Sequence, residues 1–413
     1  MTHISKYYKF LIIFIFVIVI TSNINSPNDA ERNEDVKRLK ALNDESNPSE
    51  DVPLYDKVEF VSLETNDKCL INSVKKVLIR DSLIYILDSS PKLFVFERKG
   101  HFKHQIGNKG QGPAEYITIN SFFIDESEQC VVIIDDMRKA FLYYDFNGNY
   151  KQKKDVPWEL ITMIDKASMI GGDQILLNYC ILPEDLYFNL LGNFAYKLIK
   201  AKNMQVLDSL SYNPIKATGA IYPFSTHTMT ETEKGFNFIM PVCDTIFNCQ
   251  NEKFSPKYIV EHKMKMAPKE QFFLGGDNKD TYASLSIKFG KKNLFAGFNG
   301  LFETDNHILL SYYSCYNNFS FSYFLANKTK REGRYFLLDH INETSKSLPI
   351  LNNIISCDKS SFVSILNMNM LNYYKEVLKN NRNEGVKQFK EAIKNIDEED
   401  NPILIFYYIK EDF

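Results

Sequence analysis

A unit of strand, aspartate, strand and glycine occurs twice in succession, and it limits the fold more than any other feature. In the first copy, the apolar segment LIYILD ends at Asp88 and the segment KLFVF leads to Gly100. In the second copy, VVIID ends at Asp135 and KAFLY leads to Gly148, so the two aspartates are 47 residues apart. Each aspartate can accept from backbone N–H groups at the start of a turn, and each glycine falls in a hairpin turn. A period of about 40–50 residues made of three or four short strands is typical of a β-propeller blade.

Later copies of the unit are less regular, and the spacing alone allows six or seven blades. The content of 32 Phe and 24 Tyr favours strands, because flat rings pack well on a pleated, half-buried surface. Strand candidates in this part include Gln174–Cys180, Phe236–Met240, Thr245–Cys249, Ile308–Ser314 and Phe362–Leu366.

The C-terminal part predicts a short helical insertion, at about residues 368–396. Met368–Lys379 and Glu384–Ile396 both carry apolar residues at helical spacing. They precede the segment Pro402–Lys410, which is predicted to be the closing strand.

The N-terminus predicts export. Lys6 and Lys9 precede an unbroken apolar run from Phe10 to Ile20, a pattern typical of a secretory signal. As a helix, this run would cover only about half of the ~30 Å hydrocarbon core of a membrane. No clear cleavage site follows, so residues 1–24 are either a cleaved signal peptide or a retained N-terminal anchor. Residues 25–53 are predicted to be a polar linker, and residues 54–413 the folded domain.

The segment Ile106–Tyr116 (IGNKGQGPAEY) lies between the two copies and carries a family resemblance. The form IG-x-x-G-x-GP-x-E-Y after a YILD…FVF…KG…F unit resembles the NHL-like, six-bladed β-propeller family of exported bacterial envelope proteins. The resemblance includes Val58–Glu64, Ile221–Ser225 and Asn401–Lys410, and so runs roughly from Leu54 to the C-terminus. It implies six blades and export, but no settled biochemical activity. Many members resemble lipoproteins, whereas this chain lacks the cysteine that lipid attachment needs.

The predicted fold is therefore all-β: a six-bladed β-propeller with a short helical insertion near the C-terminus and an N-terminal signal or anchor segment. Asp88, Gly100, Asp135 and Gly148 are predicted to form the turns within the blades.

The three glycines of the segment between the copies have two interpretations. A phosphate-binding loop needs its glycines between a strand and the N-terminus of a helix. Here a proline follows at once and the next predicted element is a strand, which favours a turn between blades in which glycine adopts positive φ. The predicted turn motif, whose members are also candidates for lining a groove, comprises Gly107, Gly110, Gly112, Pro113, Glu115 and Tyr116.

Several kinds of chemistry find no support in the sequence. The 49 basic and 52 acidic residues are evenly spread, so no basic stripe predicts binding to nucleic acid. His101 and His104 lie on a predicted strand, where side chains three residues apart point to opposite faces and cannot easily share a metal. Asp135 and Asp136 diverge for the same reason. We therefore predict no metal site and no cofactor, and no residue stands out as catalytic.

The seven cysteines include no C-x-x-C motif. Cys243 and Cys249 are the one local pair that a disulfide could join across a hairpin, and the sequence leaves their state open.

The leading hypothesis is a non-catalytic binding or scaffold module in the periplasm or cell envelope. It would hold a glycan, a peptide or an envelope protein at the axial mouth, with membrane contact only through the N-terminal segment. One alternative is a hydrolase or lyase with a central calcium held by Asp, Asn and Glu side chains. A second alternative is a signalling ectodomain that keeps its N-terminal anchor.

Overall fold

Strands make up most of the fold. The computed structural model describes residues 36–44, 55–179, 194–211, 227–232, 235–240, 242–268, 288–314, 320–337, 354–366, 368–377, 379, 384–411 and 413. The predicted signal or anchor segment and the Ile221–Ser225 segment lie outside these residues. Two strands precede the repeat: β1 (Lys37–Ala41) and β2 (Tyr55–Ser62).

Each copy of the repeat forms a four-stranded antiparallel sheet. The first sheet contains β3 (Val74–Arg80), β4 (Leu83–Asp88), β5 (Leu93–Glu97) and β6 (Phe102–Gln105). The second contains β7 (Ser121–Asp125), β8 (Cys130–Asp135), β9 (Ala140–Asp145) and β10 (Tyr150–Asp155). All residues of β8 are buried, whereas β10 alternates between half-buried and exposed residues. Middle strands are covered on both faces, and so they are continuous apolar runs, while the outermost strand keeps one face in water.

A third four-stranded sheet follows the one-turn helix α1 (Trp158–Ile161). Its strands are β11 (Ile164–Met169), β12 (Gln174–Tyr179), β13 (Phe194–Lys200) and β14 (Val206–Ser211). Leu160 and Ile161 of α1 are buried in the apolar cluster that the second and third sheets share.

Nine strands form one large sheet. One antiparallel group consists of β15 (Met229–Thr232), β16 (Gly235–Ile239), β17 (Thr245–Gln250) and β18 (Lys253–Val260). Two short strands, β19 (Lys265–Met266) and β20 (Leu294–Phe295), then pair with each other in parallel. The second group consists of β21 (Gly300–Glu303), β22 (His307–Ser314), β23 (Ser320–Asn327) and β24 (Glu332–Leu337). Strand β1 lies between β18 and β24 and is parallel to both.

The last sheet joins the N-terminal and C-terminal parts of the fold. Its strand order is β2, β27 (Ile403–Ile409), β26 (Phe362–Ile365) and β25 (Ile354–Cys357). Between β26 and β27 lie a 3₁₀ turn (Met368–Met370) and the helices α2 (Leu371–Val377) and α3 (Glu384–Ile393), within the range predicted to be helical.

Asn401, just before β27, fastens this junction. Its side-chain oxygen accepts from the Ile71 N–H at 2.7 Å, and its amide donates to the carbonyl oxygens of Glu64 and Cys69 at 2.6 and 2.9 Å. The Asn401 backbone N–H donates to the Thr65 hydroxyl at 2.9 Å. This buried amide therefore holds together the segments that follow β2 and precede β27.

The prediction of six blades is wrong, although the fold is all-β and propeller-like. Four sheets are separate four-stranded blades, whereas the other two antiparallel groups and β1 form a single nine-stranded sheet. This sheet is nearly closed, because its edge strands β15 and β21 approach each other where the Leu301 N–H donates to the His227 carbonyl at 2.8 Å. The physical reason is β1, a strand within the tract expected to be a polar linker, which satisfies the open edges of β18 and β24.

Candidate functional site

The glycine-rich segment is a tight turn built around a carboxylate. The Glu115 carboxylate accepts from the Gly112 N–H at 2.8 Å, and a Cβ on Gly110 would overlap that carboxylate. Gly107 has φ +60°, so of these three glycines it alone takes the positive φ expected of them. Gly110 leaves room for the Glu115 carboxylate, and a Cβ on Gly112 would lie 3.0 Å from the same group, so space rather than positive φ accounts for these two glycines.

The remaining members of this motif complete the turn, with Tyr116 in the core and Pro113 at the surface. The Gly110 N–H donates to the Tyr116 carbonyl at 2.9 Å, and the Tyr116 N–H donates to the Asn108 carbonyl at 3.0 Å. The Tyr116 ring is fully buried, and burial raises the pKa of its phenol to about 12. Arg138 donates to the carbonyl oxygens of Gly110 and Gly112 at 3.3 and 2.8 Å. Pro113 is exposed at the tip of the same turn.

The two repeat aspartates cap turns. Asp88 accepts from the backbone N–H groups of Asn72 and Ser73 at 3.1 and 2.7 Å. Asp135 accepts from the Ile117 N–H at 2.7 Å and from the Arg138 N–H at 3.1 Å. Both carboxylates are buried, and their acceptor sites face donors of the chain itself.

The two repeat glycines occupy turns where a side chain does not fit. Gly100 has φ +91°, and a Cβ there would overlap the Ser62 carbonyl. Gly148 has φ +86°, and a Cβ there would lie 2.6 Å from the Gln105 carbonyl oxygen of the neighbouring sheet. Positive φ and close backbone approach both favour glycine.

A central cavity of about 1110 Å³ is the best candidate site. Most of its wall comes from the first strand of each antiparallel group, namely β3, β7, β11, β15 and β21, and from the end of β25. None of the ten turn residues predicted from the sequence lines it.

Where the inner strands begin, the cavity wall is cationic. Lys76 on β3 donates to the Phe122 carbonyl at 2.7 Å and to the Ser121 hydroxyl at 3.2 Å. Lys166 on β11 is buried and forms an ion pair with Asp165. Burial, together with the positive charge of Lys166, lowers the pKa of Lys76 to about 7. The two ammonium groups are thus close enough to repel each other.

His227, just before β15, belongs to the same part of the wall. Its Nδ1 lies 2.8 Å from the Leu301 carbonyl oxygen, and its ring stacks on Phe302 with centroids 4.6 Å apart. Burial lowers the pKa of His227 to about 4, and the charges of Lys166 and Lys76 act in the same direction.

Where the inner strands end, acidic and basic side chains are matched. The Arg80 guanidinium forms ion pairs with Glu126 at 2.9 Å and with Glu231 at 3.0 Å. Lys328 lies 2.7 Å from the buried Glu303 carboxylate, whose other oxygen accepts from the Asn237 amide.

One cysteine lines the cavity beside this matched end. The Cys357 sulfur lies 3.7 Å from the Thr230 hydroxyl, and burial raises the pKa of the thiol to about 12. A thiol with so high a pKa is protonated at neutral pH and is a poor nucleophile. Elsewhere, Cys243 and Cys249 are both buried, and no disulfide joins them.

In the described part of the chain, no group of three or more His, Cys, Asp or Glu side chains is arranged to hold a metal ion. The helices that this part contains are too short or too polar to span a bilayer.

Sequence reasoning missed the cationic wall, although a signal was present. Lys76 and Lys166 lie inside the strands VKKVLIR and IDKASM, at positions that face inward. A lysine at the inward position of a half-buried strand breaks the alternation that a packed core requires, so it can mark a water-filled or ligand-filled space.

Comparison with known proteins supplies a family and related folds. Residues 36–408 match the family described as a domain of unknown function, DUF4934. The structure is similar to that of a Bacteroides fragilis protein described as a candidate exported protein, with 19% identity, a TM-score of 0.71, and coverage of 91% of this chain and 100% of that one. It is also similar to a member of the DUF4221 family from Bacteroides vulgatus, with 12% identity, a TM-score of 0.52, and coverage of 86% and 97%. No curated protein matches the chain in sequence.

Proposed function

This chain belongs to the DUF4934 family, and on that premise we propose that it is an exported, non-catalytic binding protein whose central cavity holds a small ligand. The observation that carries the proposal is the cavity of about 1110 Å³ at the centre of the sheets. Pockets for small ligands usually measure about 300–1,000 Å³, so this cavity can hold a ligand of the size of a short oligosaccharide or peptide.

The chemistry of the wall supports binding more than catalysis. The Asp88 and Asp135 carboxylates are occupied by turn contacts, and the Cys357 thiol is protonated at neutral pH. Lys76, Lys166 and Arg80 instead present charged donors to the cavity, and donors of this kind orient a bound ligand.

A substitution that fills the cavity tests the binding proposal. Ser168 on β11 lines the cavity, and Ser211 on β14 is exposed at the outer edge of the same sheet. We expect members of a panel of soluble oligosaccharides and short peptides to raise the unfolding temperature of the wild-type protein. Ser168→Trp should weaken that binding at least tenfold in calorimetry, whereas Ser211→Trp should leave it unchanged. A panel without any hit, or hits that Ser168→Trp does not affect, would overturn the proposal.

Export rests on the N-terminal pattern of Lys6, Lys9 and the apolar run to Ile20, and the likeness to a candidate exported protein supports it. Fractionation of bacteria that produce the full chain or a chain without residues 1–24 tests it. We expect only the full chain outside the cytoplasm, and sequencing of its N-terminus distinguishes a cleaved signal from a retained anchor.

The calcium-dependent enzyme stays an alternative hypothesis. If calcium chloride raises the unfolding temperature and a chelator reverses the effect, the non-catalytic assignment loses its support and hydrolase or lyase assays should follow.

A further inference from the structure

The two ends of the central cavity differ in how their charges are matched. At the ends of the inner strands, Arg80 contacts two carboxylates and Lys328 contacts a third. At the starts of the inner strands, Lys76 and Lys166 share a single described carboxylate, that of Asp165, which belongs to the ion pair of Lys166. The cavity therefore has one matched end and one end with surplus positive charge.

All described partners of Lys76 are neutral. Its ammonium group donates to a carbonyl oxygen and a hydroxyl, and it lies 4.8 Å from the centroid of the Phe122 ring. An ammonium group has three N–H donors, and the described contacts of Lys76 use two of them. The third donor has no acceptor among the described residues and remains for a group inside the cavity.

Lys166 adds further donor capacity at the same place. Among the described residues, Asp165 alone accepts a hydrogen bond from the Lys166 ammonium group, and the Asp165 side chain is 41% exposed. Two N–H donors of Lys166 thus have no described acceptor of the chain, while the Lys166 side chain is only 8% exposed.

Repulsion between the half-buried Lys76 ammonium group and the buried Lys166 ammonium group destabilises the folded protein. Burial removes the water that would otherwise solvate each charge, and the mutual repulsion adds to that cost. A bound anion would lower the free energy of both ammonium groups at once. The same anion would gain nothing at the opposite end, where Glu126, Glu231 and Glu303 already compensate the basic groups.

We infer that the Lys76–Lys166 end of the cavity binds an oxyanion group of the ligand, that is a carboxylate, sulfate or phosphate, with His227 lying beside it. Lys76 and Lys166 supply three N–H donors, and charge-assisted hydrogen bonds from them fit an oxyanion better than a neutral hydroxyl. The inference rests on the proposed binding function, since it assigns the chemistry of a ligand in the same cavity.

Calorimetry with defined probes tests this inference on the full-length protein. The probes are inorganic sulfate, inorganic phosphate and D-glucuronate. D-glucose, which lacks the carboxylate of D-glucuronate, serves as the neutral control. Sodium chloride at equal ionic strength serves as the control for general charge screening. We expect at least one oxyanion probe to bind more tightly than glucose and chloride by tenfold or more, and the ranking of the three identifies the preferred oxyanion.

Single substitutions locate the binding. Lys76→Met and Lys166→Met should each weaken binding of that probe at least tenfold, because each removes donors but keeps an apolar side chain of similar length. Lys103→Met, at an exposed position on β6 in the same sheet as Lys76, should bind like the wild-type protein. Thermal unfolding of each variant verifies that it is folded, and the two lysines supply independent tests.

The outcomes separate this inference from the proposed function. Equal binding of the oxyanion by Lys76→Met, Lys166→Met and the wild-type protein would overturn the inference, as would an equal response to chloride. If a neutral ligand binds and only Ser168→Trp prevents it, the oxyanion assignment fails while the binding function stands.

Discussion

The two repeat-bearing sheets, β3–β6 and β7–β10, and the nine-stranded sheet use similar groups of four antiparallel strands but are completed in different ways. Each repeat-bearing sheet is closed by its own turns, with Asp88 or Asp135 as the cap. The nine-stranded sheet depends on β1, a strand more than 200 residues away in the sequence from its partner Tyr258. In the two repeat-bearing sheets local turns complete the blade, whereas in the nine-stranded sheet a distant strand satisfies the open edges of β18 and β24.

The same contrast extends into the cavity. In the nine-stranded sheet, Asn237 donates to Glu303 and accepts from Lys257 at 3.1 Å and from Asn248 at 2.9 Å. In the first sheet, Lys76 faces the cavity with neutral partners and a neighbouring cation. One region satisfies its buried polar groups internally, whereas the other retains binding capacity.

Removal of the apolar anchor of β1 should have the largest effect. Leu39 is fully buried, and Leu39→Ala should lower the free energy of unfolding by about 3 kcal/mol. Hydrogen exchange should then accelerate in β18 and β24 and stay slow in β4 and β8. Leu42→Ala, at a 47% exposed position just after β1, should cost less than about 0.5 kcal/mol. An even loss of protection across all sheets would show that β1 is not a local support.

A side chain at Gly148 should weaken the contact between the two repeat-bearing sheets. Gly148→Ala combines positive φ with a 2.6 Å approach to the Gln105 carbonyl, and we expect a cost of about 2 kcal/mol in urea unfolding. Gly172→Ala serves as the control, because Gly172 has φ +67° and open space where a Cβ would lie. It should therefore show the cost of positive φ alone, about 1 kcal/mol. Equal losses of stability in the two variants would show that the close approach to the Gln105 carbonyl does not contribute.

Loss of one carboxylate oxygen should disturb the second repeat-bearing sheet. In Asp135→Asn an amide NH₂ group replaces one carboxylate oxygen, so either the Ile117 N–H or the Arg138 N–H loses its acceptor. This loss should lower the free energy of unfolding by about 1.5 kcal/mol. Asp155→Asn, on a carboxylate whose side chain is 79% exposed, should change stability by less than about 0.5 kcal/mol. A neutral Asp135→Asn variant would mean that the cap is not what separates the blades.

Two lysine substitutions in the cavity should change stability in opposite directions. The pKa of Lys76 is about 7 in the folded protein, below the ordinary value of 10.5, so the unfolded chain binds more protons between these values. Stability therefore rises with pH through that window, and the full cost of the charge is present below about pH 7.

Lys76→Met should accordingly raise the unfolding temperature at pH 6, by the equivalent of about 1 kcal/mol after the loss of two hydrogen bonds, and the gain should shrink as the pH rises above about 7 and then reverse. Lys328→Met should lower it, because Glu303 then lacks its ammonium partner. A lower unfolding temperature for Lys76→Met at pH 6 would contradict the surplus of positive charge.

The regular part of the fold was accessible from sequence because its signals are local. Residues near Asp88 and Asp135 combine an apolar strand, a cap and a glycine turn, and their strands lie close to the predicted positions. In the later groups the second strands end at Tyr179 and Ile239 instead of aspartate. Antiparallel pairing joins backbone groups and does not need the aspartate, so the strands persist where the signal is lost.

The nine-stranded sheet and the cationic wall could not be predicted in the same way. Strand β1 contains one buried apolar residue, Leu39, among charged neighbours, and its pairing partners are set by which edges remain open in the folded protein. Likewise, Lys76 and Lys166 are 90 residues apart in sequence, and only the ring of inner strands brings their charges together.

The pairing of β2 with β27 has a consequence for the order of events during synthesis. Strand β2 leaves the ribosome well before its partner β27 is made, because the two paired strands lie far apart in the sequence. A chain truncated before Asn401 would leave β2 and β26 with bare edges and Ile71 without the Asn401 oxygen. Such a product would expose unpaired strand edges to proteases and chaperones, so this sheet is protected only once β27 has been made.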